Sequence, residues 1–194
     1  MVRKFTSIIG LFLNDYGRKY YLGEMASLLK KPHQTIKPYA EELVKEGIVL
    51  KVERKNIVEY SLKFKDKRVY EYIIIAEKEK LLEKLKKEAI LGVLYEKLSY
   101  FFDENIFVIF GSASEEVKKG SDIDLLIIGK KNVNKEIKQF EEVYNKKIHK
   151  VQVNDASELT LTLVKELYKK HLILNNTEKL VRFFGGLHEQ NKLV

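Results

Sequence analysis

The sequence predicts an α+β protein in which a basic, helix-rich first part precedes a small sheet covered by helices. In the first part, apolar residues recur at helical spacing and then alternate in two short runs, which indicates helices followed by a β-hairpin. In the second part, short apolar runs alternate with helical patterns, which is typical of an α/β sheet.

The composition limits the classes of site that the chain can carry. Its 194 residues suit one large domain or two small ones, and a hydrophobic content of 45% allows a packed core. It has no cysteine, which excludes disulfides, thiolate zinc sites and cysteine nucleophiles, and its 4 histidines lie too far apart for metal-ligand spacing. We find no signal peptide and no apolar run approaching about 18 residues, so we expect a cytoplasmic protein without a membrane span.

The positive charge is concentrated in the first part of the chain. Residues 1–75 hold 15 Lys and Arg against 9 Asp and Glu, a net charge of +6, whereas the remainder holds 21 against 19, a net charge of +2. Such asymmetry favours a polyanionic partner for the first part. A basic surface that only promotes solubility is the alternative.

Three helices are predicted before the hairpin, over residues 4–14, over residues 22–30 and up to a stop at Gly47. Pro38 complicates the third helix. It either kinks the helix or lies in its first turn, with the true start near Lys37.

Ile48–Glu53 and Ile57–Phe64 largely alternate between apolar and polar residues, so we expect a hairpin with a basic turn at residues 54–56. Three helices followed by a two-stranded wing resemble a winged helix-turn-helix domain, over about residues 1–64. The resemblance implies that the third helix enters the major groove of DNA and that the wing contacts the backbone. The residues expected to bind DNA are Lys31, Gln34, Thr35, Lys37, Arg54 and Lys55, with Lys51 a further phosphate contact. A protein-docking module with solvated lysines is the alternative.

Residues 66–102 are predicted to be mostly helical, with a break near residues 90–92. We interpret residues 65–88 as a helical connector and a possible dimer contact. Strands are expected over residues 106–110, 122–128 and 148–153, and helices over residues 135–144, 157–171 and 177–184.

Asp122 and Asp124 stand at the start of an apolar strand. Side chains two apart on a strand share a face and lie about 6–7 Å apart, so the two carboxylates repel each other unless a cation lies between them. Mg²⁺ suits this pair, because it commonly binds one or two carboxylates together with substrate phosphates. Gly111 and Ser112 end the preceding strand, where a glycine backbone and a hydroxyl can approach a phosphate closely.

The stretch FGSASEEVKKGSDIDLLI resembles the signature of the polymerase β-like nucleotidyltransferase superfamily in its minimal form, and the resemblance covers about residues 85–160. It implies a short mixed sheet, a metal held by Asp122 and Asp124, and a nucleoside triphosphate bound at Gly111, Ser112 and Ser121. The whole chain resembles archaeal fusions of a winged helix to such a domain. We therefore expect domains at residues 1–64 and 89–194, joined by the connector.

The chain departs from the family pattern in two places. The family usually carries a third carboxylate on a later strand, which acts as a base; here the inward position falls on Gln152, or on Asn154 on the same face, and neither can take a proton. Asp155 is near, but the alternation of side chains along the predicted strand puts it on the opposite face unless the strand bulges or has ended. The loop after Gly-Ser is acidic, at Glu115 and Glu116, although Lys118 and Lys119 from the same loop could compensate.

Three functions remain open from the sequence. The first is Mg²⁺-dependent transfer of a nucleoside monophosphate, from ATP or another NTP, to a protein or nucleic-acid acceptor. The second is a DNA-binding regulator, a homodimer by default, whose nucleotidyltransferase domain is degenerate or senses nucleotide. The third is a non-catalytic, antitoxin-like partner subunit. The missing third acid favours the second, and the intact aspartate pair favours the first.

Overall fold

The computed structural model describes residues 2–55, 57–118 and 120–193, and it describes side chains for all of these except residues 2–4 and 54. The chain divides into two compact units: Met1–Glu79 with Val181–Val194, and Lys80–Leu180. Helices, an antiparallel sheet and a mixed sheet confirm the predicted α+β class. Within the described ranges, no helix has both the length and the apolar character that a membrane crossing needs.

The first unit begins with helix α1 (Val2–Gly10), strand β1 (Tyr20–Tyr21) and helices α2 (Leu22–Leu28) and α3 (His33–Lys45). Helix α3 starts four residues earlier than the alternative start near Lys37, so Pro38 lies in its second turn. Pro32 serves as the N-cap, and its carbonyl accepts hydrogen bonds from the N–H groups of Thr35 and Ile36. Gly47 terminates α3. Its φ of +79° supplies the left-handed backbone of a Schellman cap.

Strands β2 (Val49–Arg54) and β3 (Ile57–Leu62) form the predicted hairpin. Arg54 pairs with Ile57, so the loop has two residues, and Lys55 adopts φ +54°, as tight hairpin turns require. Asn56, the last residue of the predicted turn, lies outside the described residues. The sheet has the order β1-β3-β2, and β1 was not predicted because two residues show no periodicity.

Helix α4 (Val69–Lys87) contains the boundary between the two units, which lies between Glu79 and Lys80. Helix α5 (Ala89–Ser99) follows a break at Glu88. The second unit continues with strand β4 (Asn105–Phe110), a 3₁₀ turn (Gly111–Ser114), strand β5 (Ile123–Gly129), helix α6 (Asn134–Tyr144) and strand β6 (Ile148–Val153). A second 3₁₀ turn (Ala156–Glu158), helix α7 (Leu161–Lys169), strand β7 (His171–Ile173) and helix α8 (Thr177–Glu189) follow. The last residues of α8 belong to the first unit.

The second sheet has the order β6-β5-β4-β7, in which β5 and β6 are parallel and the other pairs are antiparallel. Residues 125–127 of β5 are fully buried on both faces, as expected for a central strand between layers. His171 begins β7 and does not end a helix as predicted, because its strand pairs with the end of β4. This sheet places the end of β4 beside the start of β5.

Candidate nucleotide and metal site

The Gly-Ser pair lies in the 3₁₀ turn directly after β4. Gly111 has φ +64°, a left-handed conformation that glycine adopts without steric cost. Its N–H donates to the carbonyl of Lys170 at 3.2 Å, and its carbonyl accepts from the Ser114 hydroxyl at 2.7 Å. The turn is therefore held from both sides, while the Ser112 side chain is exposed.

The carboxylate of Asp124 packs against this turn. Phe110 and Asp124 are register partners across β4 and β5, which brings the next residue, Gly111, beside the aspartate. A Cβ atom built on Gly111 would lie 2.8 Å from Asp124 Oδ2, so any larger residue would displace the carboxylate from its present position. The structure thus brings together two of the predicted site residues, Gly111 and Asp124.

His149 is the residue of β6 that lies next to Asp124. The two are register partners in the parallel pair of β5 and β6, and His149 Nδ1 lies 3.2 Å from Asp124 Oδ1. Sequence reasoning missed this residue. The sequence did not reveal how β5 and β6 align. Had the pairing of Ile123 with Ile148 been known, it would have placed His149 next to Asp124.

The expectation that Gln152 occupies the third-carboxylate position is wrong. Gln152 pairs with Ile127, three positions further along the strand, so its side chain lies on the face opposite to that of Asp124. Its amide nitrogen donates to the carbonyls of Gly129 at 3.0 Å and Lys131 at 3.2 Å. The predicted alternation of side chains along β6 was shifted by one residue. Gln152 instead stabilises the segment at the end of β5, away from Asp124. Asn154 shares its parity and bonds to Glu158.

Ser121 and Asp122 belong to the loop that enters β5. Asp122 is exposed and directly precedes the first strand residue, Ile123. The buried ammonium of Lys146 donates to the Lys118 carbonyl at 2.7 Å and to the Ser121 hydroxyl at 3.3 Å. The hydroxyl of Ser121 also donates to the Lys118 carbonyl, at 2.9 Å. A buried lysine thus holds the loop immediately before the aspartate pair.

The acidic loop after the Gly-Ser turn is fixed by lysines from elsewhere in the second unit. Lys170 Nζ lies 2.9 Å from a carboxylate oxygen of Glu115, and Lys84 donates to the Glu115 carbonyl. The sequence suggested that Lys118 and Lys119 could compensate the negative charge of this loop. Lys119 lies outside the described residues. The carbonyl of Lys118 accepts a hydrogen bond from Lys146.

The donor atoms at this site fit a hard divalent cation. In the described ranges, no group of three or more His, Asp or Glu side chains is placed to hold a metal ion. Mg²⁺ does not require such a group, because it usually takes one or two carboxylates and completes its shell with water and substrate phosphates. Asp124, with 32% of its side chain exposed, and the exposed Asp122 leave room for those ligands.

The predicted DNA-binding residues lie on the first unit. Lys31, Gln34 and Lys37 are exposed before and along the first turns of α3, and Thr35 is half-buried. Lys55 is exposed at the tip of the hairpin, whereas the side chain of Arg54 lies outside those described.

Lys51 of the hairpin is already neutralised. Its Nζ lies 3.1 Å from Glu41 and 3.1 Å from Glu53. Burial alone would raise the pKa of Glu41, but hydrogen bonds from Lys51 and Tyr60 outweigh burial, and the pKa is lowered. Lys51 therefore stabilises the contact between hairpin and α3 and offers less free charge to a phosphate than Lys37 does.

Residues 96–183 match the family model described as a nucleotidyltransferase domain. A comparison with curated proteins finds no match. Similar solved structures include a mutant of the toxin–antitoxin MntA–HpeT, at 11% identity and TM-score 0.38, over 52% of this chain and 86% of that one. A toxin–antitoxin with AMP-PNP matches at 13% identity and TM-score 0.38, over 50% of this chain and 85% of that one. TrmBL2, an archaeal chromatin protein, matches at 16% identity and TM-score 0.27, over 84% of this chain and 65% of that one.

Proposed function

We propose that the chain transfers a nucleoside monophosphate from a nucleoside triphosphate, ATP being the expected one, to a hydroxyl group; the match of residues 96–183 to the nucleotidyltransferase family model supports this. The acceptor is a protein or a nucleic acid that the winged helix recruits. In this proposal the working parts are a winged-helix domain at residues 1–64, a connector at residues 65–88 and a transferase domain at residues 89–194.

The observation that carries the proposal is the contact between Gly111 and Asp124. A phosphate-binding turn and a carboxylate that could hold a metal belong to different strands, yet the register of β4 and β5 places them side by side. This juxtaposition suits a bound triphosphate, whose phosphates would contact both the turn and the metal.

Each residue has a distinct role in the proposal. The backbone of Gly111 and the hydroxyls of Ser112 and Ser121 bind the triphosphate, and Asp122 and Asp124 hold Mg²⁺. When bound, the metal neutralises phosphate charge and orients the α-phosphorus for in-line attack. The acceptor hydroxyl oxygen forms a bond to that phosphorus and gives its proton to water, while the bond from the α-phosphorus to the oxygen that bridges to the β-phosphate breaks and pyrophosphate leaves with the electron pair.

Calorimetric titration of Mg–ATP tests the proposal without knowledge of the acceptor. We expect the wild type to bind and the variant Asp122→Asn/Asp124→Asn to lose binding. Asp103→Asn is the matched control, because Asp103 is an exposed acid of the same unit outside the site. Absence of Mg–ATP binding to the wild type at millimolar concentration would contradict the proposal.

A second function, DNA-binding regulation, is favoured by a separate observation. The first turns of α3 expose Lys31, Gln34 and Lys37, the residue types that contact phosphates and base edges. A mobility-shift assay at stated salt concentration tests this function, and label transfer from α-labelled ATP tests the first. DNA binding without label transfer would favour the regulator.

We also propose that the chain forms a homodimer through α4. Ile75 and Leu82 lie seven residues apart on this helix, on the same face, and both are exposed (43% and 59%). Light scattering of the wild type and of Leu82→Glu tests this, with Leu161→Glu as the control, because Leu161 is a comparably exposed leucine outside α4. A monomeric wild type would exclude the dimer.

A further inference from the structure

We propose that His149 is a nitrogen ligand of the metal ion at Asp124, so that this site prefers Mn²⁺ and similar first-row ions to Mg²⁺. The inference rests on the proposed function, since it concerns the ion that accompanies the nucleotide. It adds a residue that the sequence motif does not contain, and it changes the expected metal.

The first step in the argument is the spacing of the two donor atoms. Asp124 Oδ1 and His149 Nδ1 lie 3.2 Å apart. An octahedral ion with ligands at roughly 2.1 Å holds neighbouring donor atoms about 3 Å apart. The two atoms are therefore already separated by the distance that binding a common ion requires.

The second step is the rigidity of that spacing. Asp124 and His149 are register partners on adjacent, parallel strands, so backbone hydrogen bonds set the separation of their Cα atoms. Gly111 lies against the other carboxylate oxygen, Oδ2, which leaves Oδ1 directed towards His149. An ion that binds here meets one oxygen and one nitrogen that the sheet has already positioned.

The third step is the freedom of the imidazole. The side chain of His149 is 69% exposed, and its polar contact within the described part of the chain is Asp124. It fills no core position, so replacing it should leave the fold intact. Its exposure also leaves space for phosphate oxygens and water to complete the coordination shell.

The fourth step is ligand chemistry. Mg²⁺ is a hard ion that binds oxygen and exchanges its water reluctantly for nitrogen. Imidazole is a ligand of borderline softness that suits later first-row ions, and affinity for such ligands rises from Mn²⁺ through Co²⁺ towards Cu²⁺. A ligand set that includes the His149 imidazole therefore binds Mg²⁺ more weakly relative to Mn²⁺ or Co²⁺.

The test compares metal preference, and it does not require turnover. Mn–ATP and Mg–ATP are titrated calorimetrically into the wild type, His149→Asp and His149→Ala, with Gln152→Ala as a control on the opposite face of β6. We expect a higher ratio of Mn²⁺ to Mg²⁺ affinity in the wild type, and we expect His149→Asp to lower that ratio by roughly 10–100-fold, the range known for perturbed metal sites. Gln152→Ala should leave the ratio unchanged.

A second readout observes His149 directly. Substoichiometric Mn²⁺ should broaden the imidazole NMR signals of His149 and leave those of His33, an exposed histidine of the other unit, sharp. Asp124→Asn should abolish this selective broadening.

The outcomes separate the two proposals. If the metal–nucleotide complexes bind through Asp122 and Asp124 but the His149 variants keep the wild-type preference, the inference is overturned and the proposed function stands. If neither Mg–ATP nor Mn–ATP binds the wild type and Mn²⁺ broadens no histidine selectively, both are overturned. Selective broadening of His149 without nucleotide binding would support the metal site and contradict the transferase.

Discussion

Gly111 and Asp124 are in such close contact that a single methyl group on the glycine would lie 2.8 Å from the carboxylate oxygen Oδ2. They lie 13 positions apart in the sequence, and the pairing of β4 with β5 brings them together. The contact joins the Gly111–Ser114 turn to the aspartate pair, so disturbing it should affect stability and, under the proposed function, ligand binding.

Gly111→Ala tests this contact. The left-handed backbone at φ +64° should cost roughly 1–2 kcal/mol with a side chain present, and the clash with Asp124 adds to that cost. We expect a lower unfolding midpoint and weaker Mg–ATP binding. The matched control is Gly120→Ala, which has φ +82° but nothing within 4 Å of its Cβ position. Equal effects of the two substitutions on nucleotide binding would show that the Asp124 contact is unimportant.

Lys146→Met tests the buried lysine behind the Ser121 loop. The substitution removes two hydrogen bonds to the loop, each worth about 0.5–1.5 kcal/mol, while the Lys118 carbonyl keeps its bond from the Ser121 hydroxyl. We expect a lower thermal midpoint together with weaker Mg–ATP binding, because the loop leads directly into Asp122. Lys147→Met removes an exposed lysine next to it and should change neither quantity.

Lysines of the first unit should contribute unequally to DNA binding. Lys37→Gln and Lys55→Gln each remove an exposed cation, so each should reduce the slope of log K against log salt by about 1 on duplex DNA of mixed sequence. Lys51→Gln should change that slope less, since Glu41 and Glu53 already neutralise Lys51. A larger effect of Lys51 than of Lys37 would contradict this assignment of the surface.

His188 should make the first unit less stable in mild acid. Burial lowers its pKa below the usual 6.5, although Asp15 and Glu189 act in the opposite direction. The unfolded chain therefore takes up a proton at a higher pH than the folded chain does. Stability is fully present above pH 6.5 and is lost progressively as the pH falls from there to the folded-state pKa.

The measurement is the unfolding midpoint between neutral and mildly acidic pH. The His188 ring packs against the rings of Tyr16 and Phe64, at centroid distances of 6.1 and 4.8 Å, so a charged imidazole would be poorly solvated there. His188→Gln should flatten the pH dependence, whereas His33→Gln, at an exposed position, should not. An NMR titration in which the pKa of His188 is 6.5 or higher would refute the explanation.

Most of the element order could be predicted from the sequence, because helical periodicity and strand alternation are local properties. The hairpin, the central strand and the Gly-Ser to Asp-x-Asp spacing are all read from adjacent residues. Strands β1 and β7 were missed because two or three residues carry no periodic signal. The break after α4 lies at Glu88, a little before the predicted one, since boundaries depend on packing as well as on propensity.

The candidate site shows where local information ends. The residue order alone shows a glycine turn after one apolar run and two aspartates before the next. Only the folded chain shows that His149, and not Gln152, lies beside Asp124, and that Glu41 of α3 pairs with Lys51. Strand register explains the difference at Asp124. Hydrogen bonding between strands that are distant in sequence sets it, and an error of one residue transfers every side chain of a strand to the opposite face.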